Sequence, residues 1–109
     1  MTTLLKDFRT WVIWTNARAA EVEKAEDDDA FDAAGEALAA ALDRGEELAA
    51  RAMKEAGREA LAIAAAVQLV KQGGVAPCHL LENGGTGSMA DVLLAAVKAS
   101  PRVTRALTA

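Results

Sequence analysis

Apolar residues recur every three or four positions along the first quarter of the chain. This spacing places them on one side of an α-helix, and we expect that helix to cover about residues 3–26. Ile13 and Trp14 lie off this stripe at 100° per residue, so two large apolar side chains face elsewhere. Residues 11–14 also suit a short strand, because they are aromatic or β-branched, but the helical spacing on both sides favours a helix. The stripe consists of Leu5, Phe8, Val12, Thr15, Ala19 and Val22, with Leu4 and Trp11 on one flank.

The segment from residue 28 to residue 72 favours helix throughout, apart from three glycines. A single straight helix of this length would measure roughly 67 Å. A compact domain of this size has a radius of gyration of only about 13 Å, so the helix must break or pair with another chain. Gly57 is the favoured break and Gly45 the second choice, while an unbroken helix in a dimer stays open. The predicted buried stripe of residues 28–56 is Phe31, Leu38, Leu42, Gly45, Ala49, Ala52 and Ala56.

Residues 60–70 are apolar almost all the way round a helix. A helix with apolar residues on every side is normally buried on every side, so residues 58–72 are predicted to form a central helix. A glycine-rich loop follows at 83–88, and Ser88 is expected to cap a last regular helix over 88–99. The sequence therefore predicts one all-α domain over residues 1–109: a small helical bundle with an N-terminal αα-hairpin packed on a central apolar helix, plus a short C-terminal helix. The core face of the last helix is predicted to be Val92, Leu93, Ala96 and Val97.

The chain is acidic, with a net charge of −4, and its acids are concentrated in the first half. A protein that binds nucleic acid directly usually has a basic face. In this chain only Lys98, Arg102 and Arg105 lie together at helical spacing, so we expect no direct binding to nucleic acid. A single cysteine suits a reducing compartment. The longest apolar run is well short of the roughly 20 residues that span a bilayer, and the N-terminus has no signal-peptide pattern. We therefore expect a soluble, cytoplasmic protein without a membrane partner.

Few residues suggest catalysis. Cys78 and His79 are adjacent in sequence, so their side chains diverge and do not activate each other. Asp28, Asp32 and Glu36 would share one helical face and hold Mg²⁺, which gives an alternative as a metal-dependent nucleotide hydrolase of the all-α type. With one histidine and one cysteine, a structural zinc site cannot be built within the chain. We expect no catalytic residue, no metal site, no cofactor and no enzyme activity.

The segment 21–32 contains seven acids and one lysine. One interpretation is a solvated turn between two helices, where acids cap the second helix and favour its dipole. The other is a negatively charged projection that docks into a basic groove of a protein partner. Ile13 and Trp14 are a second candidate for an intermolecular contact, since tryptophan is enriched in interface hot spots, although a second buried face would also explain them. The candidate partner-binding acids are Glu21, Glu23, Glu26, Asp27, Asp28, Asp29 and Asp32.

These observations favour a non-enzymatic protein-binding module. The specific hypothesis is a small acidic inhibitor that blocks a nucleic-acid-binding surface of a partner complex by mimicking nucleic-acid charge, as phage anti-defence and anti-CRISPR proteins can do. It rests on charge pattern and chain size. The alternative from a different class is a homodimeric helical scaffold that associates through Trp14 and alanine-rich surfaces.

Overall fold

The computed structural model describes residues 2–83 and 87–109, so the middle of the predicted glycine-rich loop, residues 84–86, lies outside it. The described residues form helices and short connections without a strand, which confirms the all-α fold class. The helices are α1 (Thr2–Lys24), α2 (Asp28–Lys54), α3 (Arg58–Gly73), a 3₁₀ turn (Pro77–His79), α4 (Leu80–Asn83), α5 (Ser88–Lys98) and α6 (Pro101–Ala106).

Helices α1 and α2 form an antiparallel hairpin. The predicted stripe of α1 faces inward, with Phe8, Val12 and Thr15 fully buried. Residues 11–14 are helical. A three-residue turn leads to Asp27, whose side chain accepts a 2.7 Å hydrogen bond from the backbone N–H of Ala30. Asp27 is therefore the N-cap of α2, and it satisfies one of the donors that a helix start leaves without a partner.

The buried face of α2 differs from the predicted stripe. Phe31 was expected in the core, but it is 54% exposed. Ala56 lies beyond the end of α2 and is also exposed. Phe31 is exposed because α3 does not extend far enough along α2 to cover it. The C-terminal end of α3 lies beside Glu46 and Leu38, so it leaves the first turns of α2 uncovered. The buried residues of α2 are Ala34, Ala41, Gly45, Leu48 and Ala52.

The break between α2 and α3 lies at Gly57. Helix α2 ends at Lys54, and α3 begins at Arg58. Gly57 has a φ of +124°, a conformation that side-chain-bearing residues rarely adopt, so glycine is needed there. The turn folds α3 back along α2 within one chain, and Lys71 of α3 forms an ion pair with Glu46 of α2.

Helix α3 is the central element and packs against α2 and α5. Ile63 and Val67 are fully buried, as the apolar pattern predicts. Burial is not complete on every side, however, because Leu61 is 58% exposed. Neighbours cover most of the circumference of α3, and the side that carries Leu61 and Gln68 remains open to solvent. Gly74 ends the helix in the left-handed conformation with a φ of +62°.

The C-terminal helices differ in detail from the prediction. Gly87 precedes α5 at the cap position, so Ser88 is its first helical residue and not its cap. Val92 was predicted to face the core but is exposed, whereas Val97 is fully buried. After α5, Ser100 caps a further helix, α6, by accepting a 3.4 Å hydrogen bond from the N–H of Val103. Helix α6 returns to pack on α1 and α3.

Candidate functional site

Residues 21–32, here called the acidic tip, form the closed end of the α1–α2 hairpin. All seven candidate acids in this segment are exposed. The connection after α3 packs near Leu38, whereas α2 begins ten residues earlier, at Asp28. At 1.5 Å per residue, the hairpin projects roughly 15 Å beyond the third helix. The fold therefore presents these acids at the end of a projection.

Local interactions occupy some of the acids. Asp27 caps α2, and Glu21 forms a 2.8 Å ion pair with Arg18 on the preceding turn. Asp28 and Asp29 lie in the first turn of α2, where negative charge is favoured by the helix dipole. The remaining acids form no ion pair or side-chain hydrogen bond with any residue that the structure describes; they are Glu23, Glu26 and Asp32.

Phe31 lies among these acids, between Asp28 and Asp32 in the first turns of α2. An open hollow of about 400 Å³ occupies the same end of the hairpin and is walled mainly by alanines. The tip thus combines free negative charge with an exposed aromatic ring and an apolar hollow. The helical spacing predicts Phe31 in the core, whereas its position two residues after three consecutive aspartates was the available signal for exposure. The hollow is lined by Glu21, Lys24, Ala25, Ala30, Ala33 and Ala34.

Trp14 lies in a separate groove between α1 and α2. It is half-buried, and the guanidinium carbon of Arg44 lies 4.9 Å from the ring centroid. Such an arrangement is a cation–π contact. The groove measures about 230 Å³, and the 2.7 Å ion pair between Arg51 and Asp7 lies at its side. Part of the Trp14 ring is therefore covered by Arg44 of the same chain.

Ile13 is half-exposed and points away from Trp14, because consecutive residues on a helix diverge by 100°. It lies one turn after Arg9, on the same side of α1. The two residues that the sequence grouped as one interface thus belong to different surfaces of the molecule.

The candidate catalytic and metal-binding residues are dispersed. Cys78 and His79 are exposed on the 3₁₀ turn, and the backbone N–H of Cys78 donates a 3.0 Å hydrogen bond to Asn16. Asp28 and Asp32 are both exposed to solvent. In residues 2–83 and 87–109, no three acidic, cysteine or histidine side chains come close enough to hold a metal ion.

Comparison of the chain with protein-family models, curated proteins and solved structures gave no match. Among the helices that the structure describes, none is both long enough and apolar enough to cross a bilayer. The acidic tip is therefore the candidate site on its geometry and charge alone.

Proposed function

We propose that this protein is a non-enzymatic, cytoplasmic binding module whose acidic tip occupies the basic, nucleic-acid-binding surface of a partner protein. The observation that carries this proposal is the position of Phe31, more than half exposed among acids on a projecting hairpin. A solvated turn accounts for the acids, but it does not require an exposed aromatic ring among them. Aromatic residues flanked by charge are typical of binding hot spots, where the ring fills a pocket and the charges align the partner.

The charge of the tip is available to a partner. Three of its acids have no ionic partner within the described chain: Glu23, Glu26 and Asp32. A partner can therefore bind their carboxylates without breaking an internal salt bridge. They are held on two packed helices and a three-residue turn, which fixes their spacing before binding. A preformed surface loses less conformational entropy on association than a flexible acidic tail would.

Charge also explains why a nucleic-acid-binding surface is the expected target. Such surfaces carry clustered lysine and arginine that neutralise phosphates, and their affinity falls steeply with salt. A cluster of carboxylates satisfies the same cations without base-specific contacts. The expected partner is therefore a protein with a basic groove next to a small apolar pocket that accepts Phe31.

The test uses a variant, called the tip variant, that removes only the free charges: Glu23→Gln, Glu26→Gln and Asp32→Asn. It keeps Asp27 as the cap and the acids of the first turn of α2. A matched control neutralises three exposed acids elsewhere, through Asp43→Asn, Glu55→Gln and Glu82→Gln. Both variants change the net charge from −4 to −1, since each removes three negative charges.

The parent, the tip variant and the control are immobilised and exposed to nuclease-treated cytosol of the source organism. We expect the parent and the control to retain the same protein, and we expect duplex DNA or RNA to elute it. The tip variant should retain at least tenfold less of that protein than the parent. Equal retention by all three proteins, or a retained protein that nucleic acid does not elute, contradicts the proposal.

A further inference from the structure

A second charged surface lies near the other end of α1. Helices α1 and α6 border a groove of about 410 Å³, here called the arginine groove. Arginines from two different helices converge on it, although the protein as a whole is acidic. The residues that line it are Leu5, Arg9, Arg102, Arg105, Ala106, Thr108 and Ala109.

The positive charge of this groove is largely uncompensated. Arg102 lies 3.5 Å from Glu59, which neutralises part of one guanidinium. Arg9 and Arg105 have no ionic partner within 4 Å among the residues of the described ranges. The groove also has an apolar component, because Leu5 and Ala106 are among the residues that line it. It is therefore suited to a ligand that combines negative charge with an apolar group.

The acidic tip has that combination, but it cannot reach the groove of its own chain. Arg9 and Glu23 both lie on α1, fourteen residues apart, which corresponds to roughly 21 Å along the helix. Charges in solvent are screened over about 10 Å at 0.1 M salt, so the two ends do not neutralise each other. Each molecule thus carries free negative charge at one end of α1 and free positive charge towards the other.

We propose that the acidic tip of one copy of this protein docks into the arginine groove of a second copy. The free carboxylates of Glu23, Glu26 and Asp32 then meet guanidinium groups, which bind carboxylates through paired hydrogen bonds. The ring of Phe31 enters the apolar part of the groove. A phenyl side chain is smaller than the groove, whose volume is about 410 Å³.

The net charge of −4 repels two copies, but this repulsion is spread over a molecule 44 Å long. Docking brings the carboxylates of the tip to hydrogen-bonding distance of the guanidiniums. At about 0.1 M salt, screening removes most of the long-range repulsion and leaves the close pairs. At moderate ionic strength, the attraction between the close charge pairs therefore outweighs the repulsion between the net charges of the two copies.

Such a contact joins two different surfaces, so a docked pair keeps one free groove on the first copy and one free tip on the second. A head-to-tail contact of this kind produces rings or open chains and not a symmetric dimer. It also places a second copy and a basic partner protein in competition for the same tip. This proposal uses the tip of the proposed function but does not depend on the existence of that partner.

The test measures mass in solution by sedimentation equilibrium across a range of protein concentrations. The groove variant carries Arg9→Gln and Arg105→Gln, and its matched control carries Lys54→Gln and Arg58→Gln, two exposed bases without a described ionic partner. At about 0.1 M salt, the parent and the control should exceed the monomer mass as concentration rises, and about 0.5 M salt should reverse this. The tip variant and the groove variant should each remain monomeric.

Mixing the tip variant with the groove variant gives the sharpest result. The intact tip of one meets the intact groove of the other, and neither can extend the chain, so the mixture should form 1:1 dimers and nothing larger. A monomeric parent at every concentration overturns the proposal. Self-association that persists in the groove variant and at high salt also overturns it, and indicates instead an apolar contact such as the exposed Met89 and Val92 of α5.

The two proposals fail separately. The groove variant keeps its acidic tip, so it should still capture a basic partner protein even though it no longer self-associates. If the double variant melts more than a few degrees below the parent, Arg105→Gln alone serves as the groove variant, because the hydrogen bonds described at the end of α6 use the backbone carbonyl of Arg105 and not its side chain.

Discussion

The indole ring of Trp11 packs so closely on Gly45 that a Cβ atom at position 45 would stand 2.8 Å from its Cζ2 atom. The indole N–H donates a 2.7 Å hydrogen bond to the carbonyl of Ala41, one turn earlier on α2. Trp11 also lies beside Phe8, with 5.9 Å between ring centroids. This contact sets how closely α1 and α2 approach and thereby supports the hairpin that carries the acidic tip.

Gly45→Ala should therefore destabilise the protein despite the better helix propensity of alanine. The new methyl group must displace the indole or its hydrogen bond, at a cost of about 1–3 kcal/mol. Gly35→Ala is the matched control, since a Cβ there meets nothing within 4 Å. That substitution should stabilise α2 by about 0.5–1 kcal/mol. Urea unfolding of both variants checks the prediction, and a shift of the same sign for both would be evidence against the Trp11 contact.

Ile63→Asp should unfold the domain or cost several kcal/mol, because it buries an unpaired carboxylate in the core. Ile63 is fully buried, whereas Leu61, two residues away on the same helix, is 58% exposed. Leu61→Asp should therefore shift the midpoint of thermal unfolding only slightly. The comparison is made by circular dichroism, and similar melting of the two variants would show that α3 is not the central helix.

The two tryptophans should respond differently to truncation. Trp11→Ala removes a buried ring and its hydrogen bond, so we expect a loss of about 3–5 kcal/mol in the free energy of unfolding. Trp14→Ala removes a half-buried ring under Arg44, and it should cost clearly less. Chemical denaturation measures both. A larger loss for Trp14→Ala would place that residue in the core and leave it without a role at an interface.

Asp27 should matter to stability through its capping oxygen and not through its charge. Asp27→Ala removes the acceptor for the N–H of Ala30 and should cost about 1 kcal/mol. Asp27→Asn keeps an acceptor and should leave the unfolding midpoint nearly unchanged. Equal losses in both variants, measured by urea unfolding, would show that the charge is what stabilises the helix start.

Local sequence signals were sufficient to predict the four longest helices, α1, α2, α3 and α5, but not α4 or α6. The three-to-four spacing predicts the inward face of α1, and the all-apolar stretch predicts the burial of Ile63 and Val67. Gly57 is favoured as a break from helix lengths and the basic residues before it, and its positive φ gives the structural reason. These features depend on residues close together in the chain.

The features that were predicted wrongly or not at all depend on how far neighbouring elements extend. Periodicity placed Phe31 on the apolar face of α2, but it does not show that α3 stops near Leu38 and leaves Phe31 exposed. The arginine groove joins Arg9 to Arg105, which are far apart in sequence and brought together by the return of α6. No local pattern indicates such a pairing, whereas the acids of the tip are adjacent in sequence and could be recognised directly.

The acidic tip should compete with nucleic acid for a basic surface of a partner protein. The most direct measurement uses the protein captured from cytosol, with a fluorescently labelled nucleic acid bound to it, and follows the anisotropy as this protein is added. We expect the parent and the matched control to displace the nucleic acid, whereas at least tenfold more of the tip variant should be needed. Displacement by all three at the same concentration, or displacement by none, would contradict this prediction.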